Sequence, residues 1–500
     1  MVKASIRLAG AAALLATVDC AQPTVMLASG FPVVSDQIEQ YQSASGLRVV
    51  LAHTEDTGSA GATLVIRAGT SDEEAARAGL AHLTEHLVFD AHAEGQPPLR
   101  HRLESAGAGA YNGLTAWDAT RYVAFVPQQN LRDLLDALAG VLKDPLAGVD
   151  DADFTAERQI VKNEIRFRSD DGSPGQALGW LMEATFPPQH PYARPGAGNA
   201  ETLGRITLAD VRGFASKHYV PDATTLIVQS PLPTGAQRAL VERVFGGIKA
   251  GSAPPKSPDE GALDWRPSGL RAYAAAVVAP VLWIGWSLPG MGDEPKGMST
   301  FLEKFMQWAV QDGGYPRHHD ISRIDTHFIP GMRASLLLLQ VSLKDGDAPG
   351  DAAQAAIIHT LGELSALTHV GFAASRYNLA SSVAYEEEGL VARGLALTHA
   401  VTYFQDPTRV RQRVADLLAL DESTFADYAA KYLTAARAHV VLVRPLSATA
   451  SLPRVEVAPA ADQNELFHSE KWPAPDISRL GDRMRRADSG AYPTRTLTNG

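Results

Sequence analysis

The chain has 500 residues, 45% hydrophobic and 20% charged, a globular balance that excludes wholesale disorder. Its 56 acidic and 45 basic side chains leave a net charge of −11, which argues against nucleic acid as a partner because duplex binding needs a basic face. A single cysteine excludes an internal disulfide and a cysteine-built zinc site, so any metal must rest on histidine and carboxylate.

Lys3 and Arg7 precede an apolar run from Leu8 to Val18, the layout of a secretory signal. Residues 1–20 are therefore read as a signal peptide or lipoprotein signal, and the protein as exported, periplasmic or secreted. No run of 18 apolar residues occurs, so contact with a membrane would come only through a lipid on Cys20. Thr17-Val18-Asp19 is a poor lipobox, and simple cleavage near Cys20 or Ala21 competes with it. Residues 21–40 read as linker.

Strands are expected over Leu47–Leu51 and Ala62–Ala68, then helices over Gly79–Phe89 and Leu99–Ala106. A strand pair follows over Ala110–Val126, and amphipathic helices over Leu131–Leu142 and Asp153–Arg168. A helix opening on Thr207 runs to His218, before a strand from Thr224 to Val228. The second half repeats this grammar. Gly46-Leu47-Arg48 is echoed by Gly269-Leu270-Arg271, and Phe214–His218 by Tyr428–Tyr432, each echo ahead of a strand. The spacing implies a duplicated α+β unit: one half over 41–250, a proline-rich linker over 251–262, a second half over 263–452, and a polar tail over 453–500.

His82-Leu83-Thr84-Glu85-His86 reads H-x-x-E-H. On a helix, residues four apart share a face, so both histidines can reach one ion. Glu85 projects beside that ion without having to ligate it, where a general base for an attacking water belongs. The competing reading is a helix with two surface histidines and a solvated glutamate. Further on, Phe154, Glu157, Val161 and Glu164 share one helical stripe. Carboxylates on a stripe with Phe and Val are explained by a metal and its supporting shell, with Glu164 as third ligand and Glu157 orienting a ligating histidine. Alternatively, both glutamates lie on a solvated face and pair with Arg158, Lys162 or Arg168.

With these residues in view, the chain resembles the insulinase/pitrilysin zinc metallopeptidases with the inverted H-x-x-E-H motif. The likeness takes in Ala68-Gly69-Thr70, Gly79-Leu80-Ala81-His82, and the pair Glu157 and Glu164. It also takes in Asn112-Gly113-Leu114-Thr115 with Asp118-Ala119-Thr120-Arg121-Tyr122, as well as His190-Pro191-Tyr192 and Tyr219-Val220-Pro221. The resemblance implies two homologous α/β-sandwich halves in a clamshell around a peptide-binding chamber. One Zn2+ per chain is implied, held by the first half alone, since Phe301–Trp308, the counterpart of the motif, has no histidine. A peptide substrate is implied to lie along an edge strand, here Ala110, Tyr111, Asn112, Gly113, Leu114 and Thr115.

The family also brings an arginine and a tyrosine from its second half to the substrate. Here Arg317 is the candidate, with Arg323 as an alternative, and no tyrosine lies between Tyr315 and Tyr377, so His327 would have to substitute. Three functions follow from these readings. The first is a zinc endopeptidase acting on peptides or unfolded segments. The second is the zinc-bearing subunit of a two-chain processing peptidase, completed by a zinc-free homologous subunit or a second copy. The third is a non-catalytic scaffold that keeps the fold.

Overall fold

The structure, a computed structural model, describes residues 38–55, 58–169, 174–194, 196–253, 269–275, 277, 279–312, 321–344, 358, 372–386 and 389–445. The signal with Cys20, most of the proline-rich linker, Arg317 and the polar tail lie outside the described residues.

The first half is built on six strands: β1 (Ile38–Gln42), β2 (Arg48–His53), β3 (Ser59–Ile66), β4 (Ala110–Thr115), β5 (Thr120–Pro127) and β6 (Thr224–Ser230). They lie in the order β1-β2-β6-β3-β5-β4, with β2 and β6 parallel and the remaining pairs antiparallel. β1 begins at Ile38, inside the stretch read from sequence as linker. The helices are α1 (Leu80–Asp90), α2 (Leu99–Ser105), α3 (Leu131–Lys143), α4 (Asp151–Ser169), α5 (Pro174–Thr185), α6 (Ala200–Arg205), α7 (Leu208–His218) and α8 (Thr234–Phe245). Thr207 caps α7 by accepting from the Asp210 N–H, as its place before an apolar run predicts.

The second half has five strands, β7 (Gly269–Ala275), β8 (Val281–Pro289), β9 (Ile321–Ile329), β10 (Ala334–Leu343) and β11 (His439–Pro445), in the order β7-β11-β8-β10-β9. Its helices are α9 (Met298–Asp312), α10 (Phe372–Glu386), α11 (Leu390–His399), α12 (Arg409–Ala419) and α13 (Glu422–Tyr432). Strand for strand this repeats β2-β6-β3-β5-β4, down to the parallel pair β7/β11. Within that repeat, α9 occupies the place of α1, between the third and the edge strand, and it carries no histidine.

Both sheets are buried on two faces, which explains why their central strands are nearly all Val, Leu, Ile and Ala rather than alternating. Alternate residues go to separate cores. Val49, Leu51, Leu64, Ile66, Leu226 and Val228 pack under α1, α3, α7 and α8, whereas Val50, Ala52, Val65 and Ile227 pack against Leu397, Ala400 and Val401 at the end of α11. The second sheet mirrors this. Ile284, Trp286, Leu337 and Leu442 lie under the second-half helices, while Trp283, Leu336, Leu338 and Val441 meet Ala177, Leu181 and Met182 of α5. Each half thus lends one helix to the other's sheet.

A polar joint completes the union. The buried Asp118 carboxylate, in the turn between β4 and β5, accepts from the Tyr192 hydroxyl at 2.8 Å and from the Met332 N–H at 2.9 Å. Tyr192 in turn accepts from the Arg333 N–H at 3.2 Å and stacks on Trp117 at 4.1 Å. The β9–β10 turn of the second half is therefore tied to the hairpin that ends in the edge strand β4.

Candidate active site

α1 enters the core on Leu80, Leu83, Leu87 and Val88, which leaves His82 and His86 on its other side, one turn apart, with ring centroids 4.8 Å from each other. Its first turn is held from outside the helix. The buried Glu73 carboxylate accepts from the Gly79 N–H at 2.9 Å and the Ala81 N–H at 2.6 Å. α4 packs across α1 through Phe154, Val161 and Ile165, and this aims Glu157 and Glu164, two turns apart, at the histidines.

Glu164 reaches both histidines. One carboxylate oxygen is 3.3 Å from His86 Nε2 and the other 4.0 Å from His82 Nε2. One donor atom from each of the three residues lies within 4.8 Å of the others, the sole such group of acids and histidines among the described residues. Two imidazoles and a carboxylate are a donor set that would suit a catalytic zinc, and all three residues line one cavity. Glu157 takes the other nitrogen of His86, accepting from Nδ1 at 3.2 Å. That bond fixes the tautomer and turns Nε2 toward Glu164. Burial alone would lower the His86 pKa, but its bonds to Glu157 and Glu164 outweigh this and raise it to about 9, so an arriving metal ion must displace a proton.

Two further groups hold Glu157, and both escaped the sequence reading. Arg100 of α2 donates to it at 3.3 Å and also pairs with Asp90, the last residue of α1. Burial and the bond to Glu157 push the Asp90 carboxyl up to about 6. Glu157 itself stays low despite burial, because His86, Asp90 and Arg100 all bond to it. Asp90 continues the 82–86 stripe by one more turn, a signal that could have been read, whereas nothing local marks Arg100.

Glu85 is buried beside the triad and accepts from the Thr115 hydroxyl at 2.7 Å. Burial raises its pKa, against the Thr115 bond and the nearby His86, which makes it a readier proton acceptor than a solvated glutamate. Behind it, the Tyr122 and Tyr219 hydroxyls meet at 2.9 Å in the core. β4 runs past Glu85 at the sheet edge, so close that a Cβ on Gly113 would overlap the Glu85 carboxylate and lie 2.7 Å from the Phe89 ring. The cheapest relief for Gly113→Ala is a shift of that carboxylate rather than of backbone. Were Glu85 the base of a hydrolysis, this substitution would be expected to cut its rate by on the order of 100-fold with little change in Tm, measured by steady-state kinetics and thermal melting. An unchanged rate would show that the close approach is irrelevant.

The cavity around these groups has a volume of about 630 Å³. The triad, Glu85, Glu157 and Arg100 line it, together with Tyr111 to Thr115 of β4. Of the proposed substrate strand, only Ala110 falls outside the lining. Leu114 and Ile160 stand half exposed in it, both large apolar side chains left open to solvent. Every described residue that lines it belongs to the first half. Arg323 pairs with Asp325 on β9 and His327 is exposed on the same strand, and neither lines the cavity.

The family described as Insulinase (Peptidase family M16) matches residues 48–186, and that described as Peptidase M16 inactive domain matches residues 205–307. An uncharacterized zinc protease of Mycobacterium leprae is 31% identical over 230 residues, 46% of this chain and 51% of its own, so the match spans about half the length of that relative. Among solved structures, a protease from Helicobacter pylori superposes with a TM-score of 0.72 at 19% identity, over 82% of this chain and 100% of that one. Pitrilysin gives a TM-score of 0.64 at 19% identity, over 82% of this chain and 45% of its own. Residues 48–186 thus match the insulinase, or M16, peptidase family and residues 205–307 its inactive domain, and the fold is that of these solved structures.

Proposed function

We propose that the chain is a zinc-dependent endopeptidase that cleaves peptides or unfolded segments. The observation that carries this reading is the convergence of His82, His86 and Glu164 from two helices, with Glu85 buried alongside. Zinc held there would polarise the scissile carbonyl and acidify a water. The chain's own residues do the rest. Glu85, its pKa raised by burial, takes a proton from the attacking water and returns it to the leaving amine. Thr115 holds Glu85 in place, Glu157 holds His86, and the free edge of β4 offers main-chain hydrogen bonds to an extended peptide. The charged and then apolar segment at residues 3–18 supports export.

One observation favours a second reading, in which this is the zinc-bearing subunit of a two-chain peptidase. The cavity draws no described residue from the second half. One experiment tests both readings. The purified chain is analysed for metal and incubated with a mixed peptide library, with chelator, and with chelator followed by zinc. Cleavage that is lost to chelator and restored by zinc supports the first reading. Stoichiometric zinc without cleavage points to the second, and absence of both overturns the peptidase assignment.

A further inference from the structure

Glu73 is a buried carboxylate that the chemistry above does not use. It lies in the segment before α1, and its two oxygens take the Gly79 and Ala81 N–H groups. These are among the donors that the start of a helix leaves without a partner, and a carboxylate there also meets the positive end of the helix dipole. Gly79 has φ +96°, and the helix proper opens with the Leu83 N–H bonding to the Gly79 carbonyl at 2.9 Å. His82 sits in this first turn, whereas His86 and Glu85 lie a turn deeper, where the ladder and the core already hold them. Arg194 anchors the glutamate in turn, donating to its backbone carbonyl at 2.8 Å.

The second half repeats the device without the histidines. Gly297, φ +80°, precedes α9, and Glu294 accepts from the Ser299 N–H at 3.1 Å. In both halves the acceptor is a glutamate set before a left-handed glycine, and the donor is the N–H two residues after that glycine.

We infer that Glu73 is a positioning residue for the metal site, fixing the first turn of α1 so that His82 is presented to the ion, and that Glu294 is the same anchor in a half with no ion to serve. The inference rests on the zinc reading above. The test is zinc affinity, measured by competition with a chromophoric chelator, alongside Tm and circular dichroism. Glu73→Ala should weaken zinc binding by about 10- to 100-fold, the range for groups that orient a ligand from outside the coordination shell. Glu73→Gln, which keeps an oxygen for one of the two N–H groups, should lose less. Glu294→Ala should lower Tm and leave zinc affinity unchanged.

Wild-type affinity in folded Glu73→Ala would overturn the inference, and so would an equal loss of zinc in Glu294→Ala. If Glu73→Ala fails to fold, Glu73→Gln decides, and unchanged affinity there overturns it. A wild-type chain that binds no zinc would instead sink the metal reading itself, so the two failures are distinguishable.

Discussion

Glu85→Gln is expected to leave the chain folded and zinc bound while cutting peptide cleavage by about 10²- to 10⁴-fold, the range for loss of a positioned proton carrier. The amide matches the carboxylate in shape, and its oxygen can still accept from the Thr115 hydroxyl. What it cannot do is take a proton from water. Folding should not suffer, because the carboxylate sits in a buried place that already disfavours its charge. Metal analysis and cleavage rates on the same sample give the answer. Full activity in Glu85→Gln would remove the base from the mechanism, whatever the zinc content.

Glu164→Ala should remove zinc from the chain and cleavage with it. Glu164 faces both imidazoles, and without it the site keeps two neutral donors and loses its anionic ligand. Glu157→Ala provides the scale. It removes only the acceptor behind His86 Nδ1, so its zinc affinity should fall by about 10- to 100-fold. The loss in Glu164→Ala should be the larger of the two. Titration of each variant with zinc against a competing chelator makes the comparison, and the reverse order would mean that the roles of the two glutamates have been exchanged.

The helices that bear the candidate site were more legible in the sequence than the scaffold around them. The H-x-x-E-H spacing and the stripe of Phe154, Glu157, Val161 and Glu164 are helical periodicities, and the structure puts both on helices that face each other. The β4–β5 hairpin was legible from its strand-forming residues. What escaped was long-range. α5 and α11 carry no clean polar face, because each is pressed against the other half's sheet, so the period that marks a surface helix is missing. β1 is mostly polar and sits at a sheet edge, which made its first residues, 38–40, look like linker. Glu73 and Arg100 act on α1 and α4 from separate segments, and no spacing rule connects such partners.

The exchange of α5 and α11 also bears on why a half without the histidine pair persists at all. Cut away, it would strip the lid from Val50, Val65 and Ile227 and leave an oily sheet face bare to water, with Trp283 and Leu338 equally naked on the discarded fragment. Neither portion would cover both faces of its own sheet, so the two are expected to fold together. The second half therefore serves the first as a wall, whatever else it carries.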